Sequence, residues 1–375
     1  MMKQAPLKPE AYPELPELES SAEMIQGLEE NIYGKIPALS DVTILSKQEI
    51  ARDLFTKGDI ITEWEVEAGF GKARKVFHIV FVRRADFLND PMIITQNFCP
   101  NTAVVPIQGV TAPIGEFFDC SDSGPVASIF RYFFGRYITV PPYKMILQHG
   151  YSVAVMFPPE FIPDSAERAP VILEDLFPTN VENQPGVLAI WSSLSVWLAE
   201  ALKADGEVDT AITYGHSRYG KTALISAAVS PSIDAVIAHQ SGTGGASLLR
   251  DETGESIAQV LENYPQWFTS NFASFAYEKE SLPVDSHFLL SLIAPRPLLL
   301  GNARRDVWSD PAGAFNAARA ASPSWAQYGS QGLSAARLDD YRPQDDLAFW
   351  MRPGTHGVVE EDWPAFLEFL DAHFK

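Results

Sequence analysis

Ser217 is the residue whose surroundings most strongly predict chemistry. In the run Thr210–Lys221, TAITYGHSRYGK, a β-rich segment reaches Gly215, the serine follows two residues later, and a helical pattern begins at once. A strand, a tight turn and a helix in that order project a serine hydroxyl above a sheet, and the helix N-terminus offers N–H groups to an oxyanion. The G-x-S-x-G pattern itself is broken, because Tyr219 stands at its second glycine and Gly220 comes one later. The alternative is an N-cap serine on an ordinary turn.

A serine nucleophile needs a base, and the base needs a residue that orients it. In folds with this elbow the chain order is serine, acid, histidine. Only His287, His356 and His373 lie well downstream of Ser217. His356 ranks first, because Pro353 and Gly354 force a loop before it, between a strand-like run and the last helical pattern. His287 opens a helical pattern and indicates a cap or a core partner, and His373 is expected at the surface of the last helix.

The acid is expected after the strand-like run Pro297–Leu300. The sequence there, GNARRDVWSDP, offers Asp306 and Asp310. Asp306 falls early in the loop, where a carboxylate can meet the histidine. Asp310 precedes Pro311 at a helix start, which favours an N-cap.

A second glycine cluster, QSGTGG at residues 240–245, follows the strand-like run Ala235–His239. Its glycine spacing differs from that of a dinucleotide-binding loop, and it contains no Walker lysine. From the residues alone it indicates close backbone packing beside the elbow. No HExxH or HxH pattern occurs in the sequence, so neither a metal nor a cofactor is expected.

Short β-rich runs alternate with helical patterns along the chain. The strand-like runs are Lys75–Val82, Pro91–Phe98, Tyr151–Phe157, Thr210–Tyr214, Ala235–His239, Pro297–Leu300 and Leu347–Met351. The helical patterns are Val187–Ala204, Arg218–Val229, Ser256–Asn263, Pro311–Ala321 and Trp363–Phe374. This alternation predicts an α/β fold, a three-layer sandwich whose mostly parallel central sheet is flanked by helices.

The chain is predicted to form one domain over residues 1–375, because no linker-like stretch divides it. Residues 1–30 are expected to be an acidic arm that carries a short helix near Ser21–Asn31 and lies in solvent. Residues 99–150, rich in proline, glycine and aromatic residues, indicate a long insertion near the active site.

The composition is that of a globular protein and disfavours nucleic-acid and membrane partners. Of the 375 residues, 46% are hydrophobic and 20% are charged, as in ordinary globular proteins. With 28 Lys and Arg against 48 Asp and Glu, the formal net charge is −20, which disfavours nucleic-acid and anionic-membrane partners. No uninterrupted apolar run reaches the length of a membrane span, so no membrane partner is expected. The oligomeric state is not predicted.

The two cysteines and the start of the chain bear on location. Cys99 and Cys120 are expected to be two free buried thiols rather than one bridge. The first residues contain no apolar core after their lysines, so no signal peptide is recognised and a cytoplasmic location is expected. A removed leader would instead make the protein periplasmic or secreted.

The sequence resembles the glucuronoyl esterase family, carbohydrate esterase family 15, and especially its bacterial branch. The resemblance runs from about Tyr33 to the last helical pattern and implies an α/β-hydrolase fold. The segment 215–221, GHSRYGK, is similar to the family's G-x-S-R-x-G-K elbow, which accounts for the displaced glycine. The SGTGG run at 241–245 with Arg250, the segment 292–297 (LIAPRP), and the spacing of Arg352, Gly354, His356, Asp362 and Trp363 also fit the family.

The resemblance implies a catalytic role for four residues. Ser217 would be the nucleophile and His356 the general base. The backbone N–H of Arg218, helped by its guanidinium, would stabilise the oxyanion. Many family members carry a glutamate as the triad acid immediately before the SGxGG run, where this chain has Gln240. Other bacterial members place an aspartate after the following strand, and Asp306 matches that position. The predicted triad is therefore Ser217–His356–Asp306.

The resemblance also implies a substrate. Lys221 and Glu255 would hydrogen-bond sugar hydroxyls, and Trp308 would stack on the sugar ring or its 4-O-methyl group. Gln240 is placed beside them as a neutral neighbour, since an amide can hydrogen-bond an imidazole but cannot stabilise an imidazolium by charge. The expected activity is hydrolysis of (4-O-methyl-)D-glucuronic acid esters through an acyl-enzyme, with a small-molecule or oligosaccharide uronate ester as partner.

Two alternatives to this activity stay open. One is an acetyl esterase acting on acetylated xylan or acetylated sugars with the same triad. The other is a catalytically impaired relative that binds carbohydrate, which Gln240 motivates.

Overall fold

The structure is a computed structural model that describes residues 15–17, 19–84, 89–115, 117, 120, 133–177, 183–250 and 253–375. The strands are β1 (Ser40–Arg52), β2 (Asp59–Gly69), β3 (Arg74–Arg84), β4 (Met92–Gln96), β5 (Ser152–Met156), β6 (Ala211–His216), β7 (Ala235–His239), β8 (Leu298–Ala303) and β9 (Leu347–Arg352). The α-helices are α1 (Ser21–Leu28), α2 (Asn101–Val104), α3 (Tyr143–Gln148), α4 (Arg168–Leu176), α5 (Val187–Ala204), α6 (Arg218–Val229), α7 (Ile257–Asn263), α8 (Ser286–Ser291), α9 (Pro311–Ala321), α10 (Pro323–Ala326) and α11 (Asp362–Phe374).

All of these strands lie in one sheet, in the order β1-β2-β3-β5-β4-β6-β7-β8-β9. The pairs β1–β2, β2–β3 and β3–β5 are antiparallel, and every later pair is parallel. Because the carboxyl ends of parallel strands meet at one edge, the loops after β6, β7, β8 and β9 converge there. Each of the predicted catalytic residues lies in or beside one of these loops.

Helices cover both faces of the sheet, because side chains alternate between faces along each strand. Met92 and Ile94 of β4 face a core that includes α5, α6 and α9, whereas Ile93 faces a second core that includes α3 and α11. Helix α5 is long and apolar enough to cross a membrane, but 67% of it is buried inside the protein. Its apolar composition is therefore accounted for by its place in the core.

The predicted α/β-hydrolase architecture is confirmed. Each predicted strand and helix is present, and α5, α6 and α9 have the predicted bounds. Strands β1 and β2 were not predicted. β1 is an edge strand whose side chains are mostly exposed on both faces, so its sequence carries little alternation. β2 does alternate, with Trp64, Val66 and Ala68 buried, so its sequence carries the pattern of a half-buried strand.

The expectation of two free thiols is wrong, because Cys99 and Cys120 form a disulfide. The chain turns back between them, which brings their Cα atoms to 5.7 Å, within the range that a disulfide spans. A separation of 21 residues does not reveal such a turn. Cys99 directly follows Phe98, so the disulfide anchors the segment that leaves the end of β4.

The acidic segment near the N-terminus is more closely packed than expected. Residues 1–14 lie outside the described part, but Met24 and Leu28 of α1 are buried in the core. The hydroxyl of Tyr33 donates to the carbonyl oxygen of Gly244, 3.1 Å away. Residues 21–33 are therefore part of the folded body and not a solvated arm, because their apolar side chains find a core surface.

Candidate active site

The turn at Ser217 has the backbone of a nucleophile elbow. Ser217 lies between β6 and α6 with φ 57° and ψ −123°, a conformation that non-glycine residues rarely adopt. A Cβ on Gly215 would come within 1.9 Å of the carbonyl oxygen of Tyr219, so position 215 requires glycine. A Cβ on Gly220 would lie 3.1 Å from the side chain of Ser241. The glycine displaced by one position thus lets α6 pack closely against the neighbouring loop.

The structure brings His356 and Asp306 together. Nδ1 of His356 lies 2.8 Å from Oδ2 of Asp306, whose side chain is fully buried. Asp306 follows β8 and His356 follows β9, so two neighbouring parallel strands deliver the pair. With Nδ1 directed at the carboxylate, the other ring nitrogen is left for the nucleophile, and His356 and Ser217 line the same cavity.

The other acid and the other histidines have different places. Asp310 caps α9, accepting a hydrogen bond from the Gly313 N–H at 3.0 Å. His287 is buried at the start of α8, 3.0 Å from the carbonyl oxygen of Pro16. The side chain of His373 is only 10% exposed and lies 3.6 Å from Asp346, so the surface position expected for it is wrong. Its ring packs against Phe369 on the same helix.

Arg218 begins α6, so its backbone N–H has no acceptor within the helix and remains available to an oxyanion. Its guanidinium is enclosed by the rings of Trp267, Tyr264 and Phe98, at 4.8, 5.1 and 5.3 Å from their centroids. Asp164 accepts a hydrogen bond from one terminal nitrogen. In the described part of the chain, the buried Nε of Arg218 has no hydrogen-bond partner. A substrate oxygen that reached this nitrogen would supply one.

Asp164 holds the guanidinium of Arg218 and is itself held by two side-chain donors. Its other oxygen accepts from the side-chain nitrogens of Gln266 and Trp267, at 2.7 and 2.8 Å. Sequence reasoning missed Asp164, because an isolated aspartate between Pro163 and Ser165 carries no motif. It was found only through its contacts in the fold.

The Asp164→Asn variant is expected to lower kcat by about 10- to 100-fold with little change in KM. An amide must turn its NH₂ group either toward Arg218 or toward the donors of Gln266 and Trp267, so the guanidinium shifts and its help to the oxyanion weakens. Steady-state kinetics measures kcat and KM on an ester that the wild type hydrolyses and that Ser217→Ala does not. Asp175→Asn, the same change at an exposed position of α4, should leave kcat unchanged. An unaltered kcat in Asp164→Asn would show that the guanidinium needs no anchor.

Lys221 and Glu255 also line the cavity. Lys221 is buried in the first turns of α6 and donates to the carbonyl oxygen of Ser241. Burial lowers the pKa of its ammonium to about 8, and the nearby Glu255 opposes this shift. Burial raises the pKa of the Glu255 carboxyl, while the charge of Lys221 lowers it. The two side chains offer hydrogen-bond donors and acceptors beside the nucleophile.

Trp308 lies at the mouth of the cavity and is 57% exposed. An indole ring left in contact with water at the edge of a polar cavity is available to stack on a ligand. Its neighbour Arg305 is exposed and lines the cavity as well.

All eight residues predicted for the site border one cavity of about 900 Å³. Phe133, Phe134 and Ile138 of the predicted insertion line the same cavity. Among the lining residues that were not predicted, four come from the loop after β4 and from the region around α7: Phe98, Asn263, Tyr264 and Trp267. These residues belong to no recognisable pattern, and only the tertiary fold brings them together.

Among the hydrogen bonds of the described residues, none joins the side chain of Gln240 to the imidazole of His356. Its amide instead meets the backbone on either side of His356 and the ring of His216. Burial lowers the pKa of His216 well below its usual value, so that this histidine is neutral. Among the described residues, no group of three or more His, Cys, Asp or Glu side chains is arranged to hold a metal ion.

A strained serine elbow, a buried Asp–His pair and a cavity at the carboxyl edge of a mostly parallel sheet define an α/β-hydrolase of the serine-nucleophile class. The family profile described as "Glucuronyl esterase, fungi" matches residues 175–329. A carbohydrate esterase from an unknown prokaryotic organism is 34% identical over 196 residues, 51% of this chain and 45% of that protein. A 4-O-methyl-glucuronoyl methylesterase of Phanerochaete carnosa is 34% identical over 122 residues, 31% of this chain and 30% of that protein.

Likeness in structure extends over nearly the whole chain. The glucuronoyl esterase from Solibacter usitatus superposes with a TM-score of 0.80 at 26% identity, covering 97% of this chain and 99% of that one. In sequence, the chain spans less than half the length of the curated relatives above. In sequence and in structure the chain is therefore similar to glucuronoyl esterases of carbohydrate esterase family 15, as its motifs predicted.

Proposed function

We propose that the protein is a carboxylic ester hydrolase that cleaves esters of (4-O-methyl-)D-glucuronic acid through an acyl-enzyme. The observation that carries this proposal is the convergence of Ser217, His356 and Asp306 on one cavity that also presents Lys221 and Trp308. The first three supply the chemistry of acyl transfer, and the others suit a sugar on the acyl side of the ester.

In the acylation step, Oγ of Ser217 attacks the C6 carbonyl carbon and its proton passes to Nε2 of His356. The oxyanion that forms accepts from the backbone N–H of Arg218 and lies within the field of its guanidinium. Asp306 stabilises the imidazolium by charge. Collapse of the tetrahedral intermediate breaks the bond to the alcohol, which leaves with the proton held by His356.

In the deacylation step, His356 takes a proton from water, and the resulting hydroxide attacks the acyl carbon. The C–O bond to Ser217 breaks, Oγ recovers its proton from His356, and the uronic acid leaves and releases its carboxyl proton to solvent. The overall reaction is hydrolysis of an ester to an alcohol and a uronate, and it consumes one water.

The experiment that tests this proposal compares kcat/KM on benzyl or methyl glucuronate with kcat/KM on 4-nitrophenyl acetate. A uronate esterase should have the higher kcat/KM on the glucuronate esters. Lys221→Ala or Glu255→Ala should lower kcat/KM for the glucuronate esters more than kcat/KM for 4-nitrophenyl acetate. Turnover of acetate esters alone would instead establish an acetyl esterase. Binding of sugars without any turnover would establish a carbohydrate-binding protein, and Asp306 beside His356 argues against that outcome.

The KM for a glucuronate ester is expected to rise about fivefold between pH 7 and pH 9, while kcat changes less. Protonated Lys221 has three N–H donors, of which one is held by Ser241, and it loses a donor and its charge as the pH rises through about 8. In Lys221→Met the KM should already be high at pH 7 and should show no such rise. Equal pH dependence of KM in both proteins would contradict this role.

We further propose that the protein acts in an oxidising compartment. Disulfides persist outside the cytosol and are rare within it, so the Cys99–Cys120 bridge favours a periplasmic or secreted location over the cytoplasmic one expected from the sequence. Fractionation of the native cells, with thiol alkylation before lysis and mass spectrometry, tests this. Alkylated cysteines in a cytosolic fraction would contradict it.

A further inference from the structure

The loop that carries His356 is held through its backbone. Arg352 donates to three of its carbonyl oxygens, those of Pro353 at 3.0 Å, Thr355 at 3.2 Å and Gly357 at 2.7 Å. Asp362 in turn binds Nε of Arg352 at 2.8 Å. These bonds hold the loop from the side of β9 and α11.

Gln240 holds the same loop from the side of β7. Its Nε2 donates to the carbonyl oxygen of Thr355 at 3.2 Å, and its Oε1 accepts from the N–H of Gly357 at 2.8 Å. One side chain therefore binds the peptide groups immediately before and after His356. Gln240 is 1% exposed, so water does not compete for these bonds.

The orientation of the Gln240 amide is set by its partners. The Gly357 N–H can only donate and the Thr355 carbonyl can only accept, so oxygen must face the first and nitrogen the second. His216 Nε2, 2.9 Å from Oε1, then donates as well. A neutral amide satisfies all three groups, whereas an ionised carboxylate would set an oxygen against the Thr355 carbonyl oxygen.

We infer that Gln240 is a positioning residue, whose amide fixes both peptide groups flanking His356 and so places the imidazole between Asp306 and Ser217. This inference rests on the proposed acyl-transfer function of that site. Gln240 takes no part in stabilising the imidazolium, because Asp306 already occupies Nδ1.

Two variants test the inference directly. Gln240→Met keeps the length of the side chain and removes its hydrogen bonds, so kcat should fall about 30-fold with KM within twofold of wild type. A crystal structure of this variant should show Nδ1 of His356 more than 3.5 Å from Oδ2 of Asp306. That second readout needs no turnover, so a failure of the proposed function remains distinguishable from a failure of the inference.

Gln240→Glu separates positioning from a structural role by its pH dependence. The new carboxyl would contact His216, whose ring lies near those of His239 and His356. The other charged groups around the same loop are Asp306, Arg352 and Asp362. When protonated it can donate to Thr355 as the amide does, and when ionised it cannot. The ratio of its kcat to that of wild type should therefore rise as the pH falls from 8 to 5.

Gln96→Met is the matched control. Gln96 is also a buried glutamine with three side-chain hydrogen bonds, to Trp191, Ser195 and Thr222, and it lies away from the His356 loop. Its replacement should lower the melting temperature about as much as Gln240→Met does, while kcat stays within threefold of wild type.

Four results with the single variants would overturn the inference. They are a kcat for Gln240→Met within twofold of wild type, an equal loss of kcat in Gln96→Met, a pH-independent ratio for Gln240→Glu, or an undisplaced imidazole in the crystal. A fifth comes from the double variant with Asp306→Asn. If Gln240→Glu restored the activity of Asp306→Asn tenfold or more, the side chain at position 240 would reach the imidazole itself.

Discussion

Replacing Ser217 with alanine is expected to lower kcat about 10⁶-fold, because without the hydroxyl no acyl-enzyme can form. The residual rate would come from the Arg218 N–H and from binding, which still favour attack by water. Burst kinetics on a slowly deacylating ester, followed by intact-protein mass spectrometry, should show an acyl adduct on wild type and none on the variant.

Ser330 provides the control for this experiment. It directly follows Gly329, and it lies in a loop where its hydroxyl donates to Asp346. Ser330→Ala should therefore keep wild-type kcat. A Ser217→Ala variant that retained more than about a hundredth of the activity would show that another group attacks the ester.

Asp306→Asn is expected to lower kcat about 10⁴-fold with a much smaller change in KM. The carboxylate accepts from Nδ1 of His356 at 2.8 Å, whereas an amide can present its NH₂ group to Nδ1 and stabilise the wrong tautomer. It also lacks the charge that stabilises the imidazolium.

Asp310→Asn distinguishes between the two acids that the sequence left open. Its carboxylate caps α9, and an asparagine caps nearly as well, so stability should change by less than about 1 kcal/mol and kcat should remain within a few-fold of wild type. A loss of kcat below tenfold in Asp306→Asn would show that Asp306 is not the triad acid. A loss of kcat in Asp310→Asn that exceeds the loss in Asp306→Asn would make Asp310 the triad acid instead.

The elbow, the order of the triad and the parallel part of the sheet could be predicted because each leaves a local trace. Gly215 and Ser217 stand at a strand–helix junction, and the buried strands are apolar runs. Asp164 could not be predicted, because its partners Gln266 and Trp267 are about a hundred residues away in sequence. The disulfide depends on a turn that composition does not encode.

Gln240 shows a different limit. Its position and its neutrality were plain from the sequence, but its side chain was expected near the imidazole or the substrate. Its side chain instead bonds the backbone of residues 355–357. Such a partner cannot be recognised in a sequence, because every residue carries backbone N–H and C=O groups.

The Arg352–Asp362 pair makes the last helix part of the catalytic apparatus. Asp362 is the first residue of α11, is fully buried, and also accepts from the N–H of Val359 at 2.8 Å. A truncation, fusion or proteolytic nick that unwinds α11 would take away the counter-ion of Arg352 and release the loop that carries the base. Unwinding of α11 would therefore lower kcat before the central sheet unfolds.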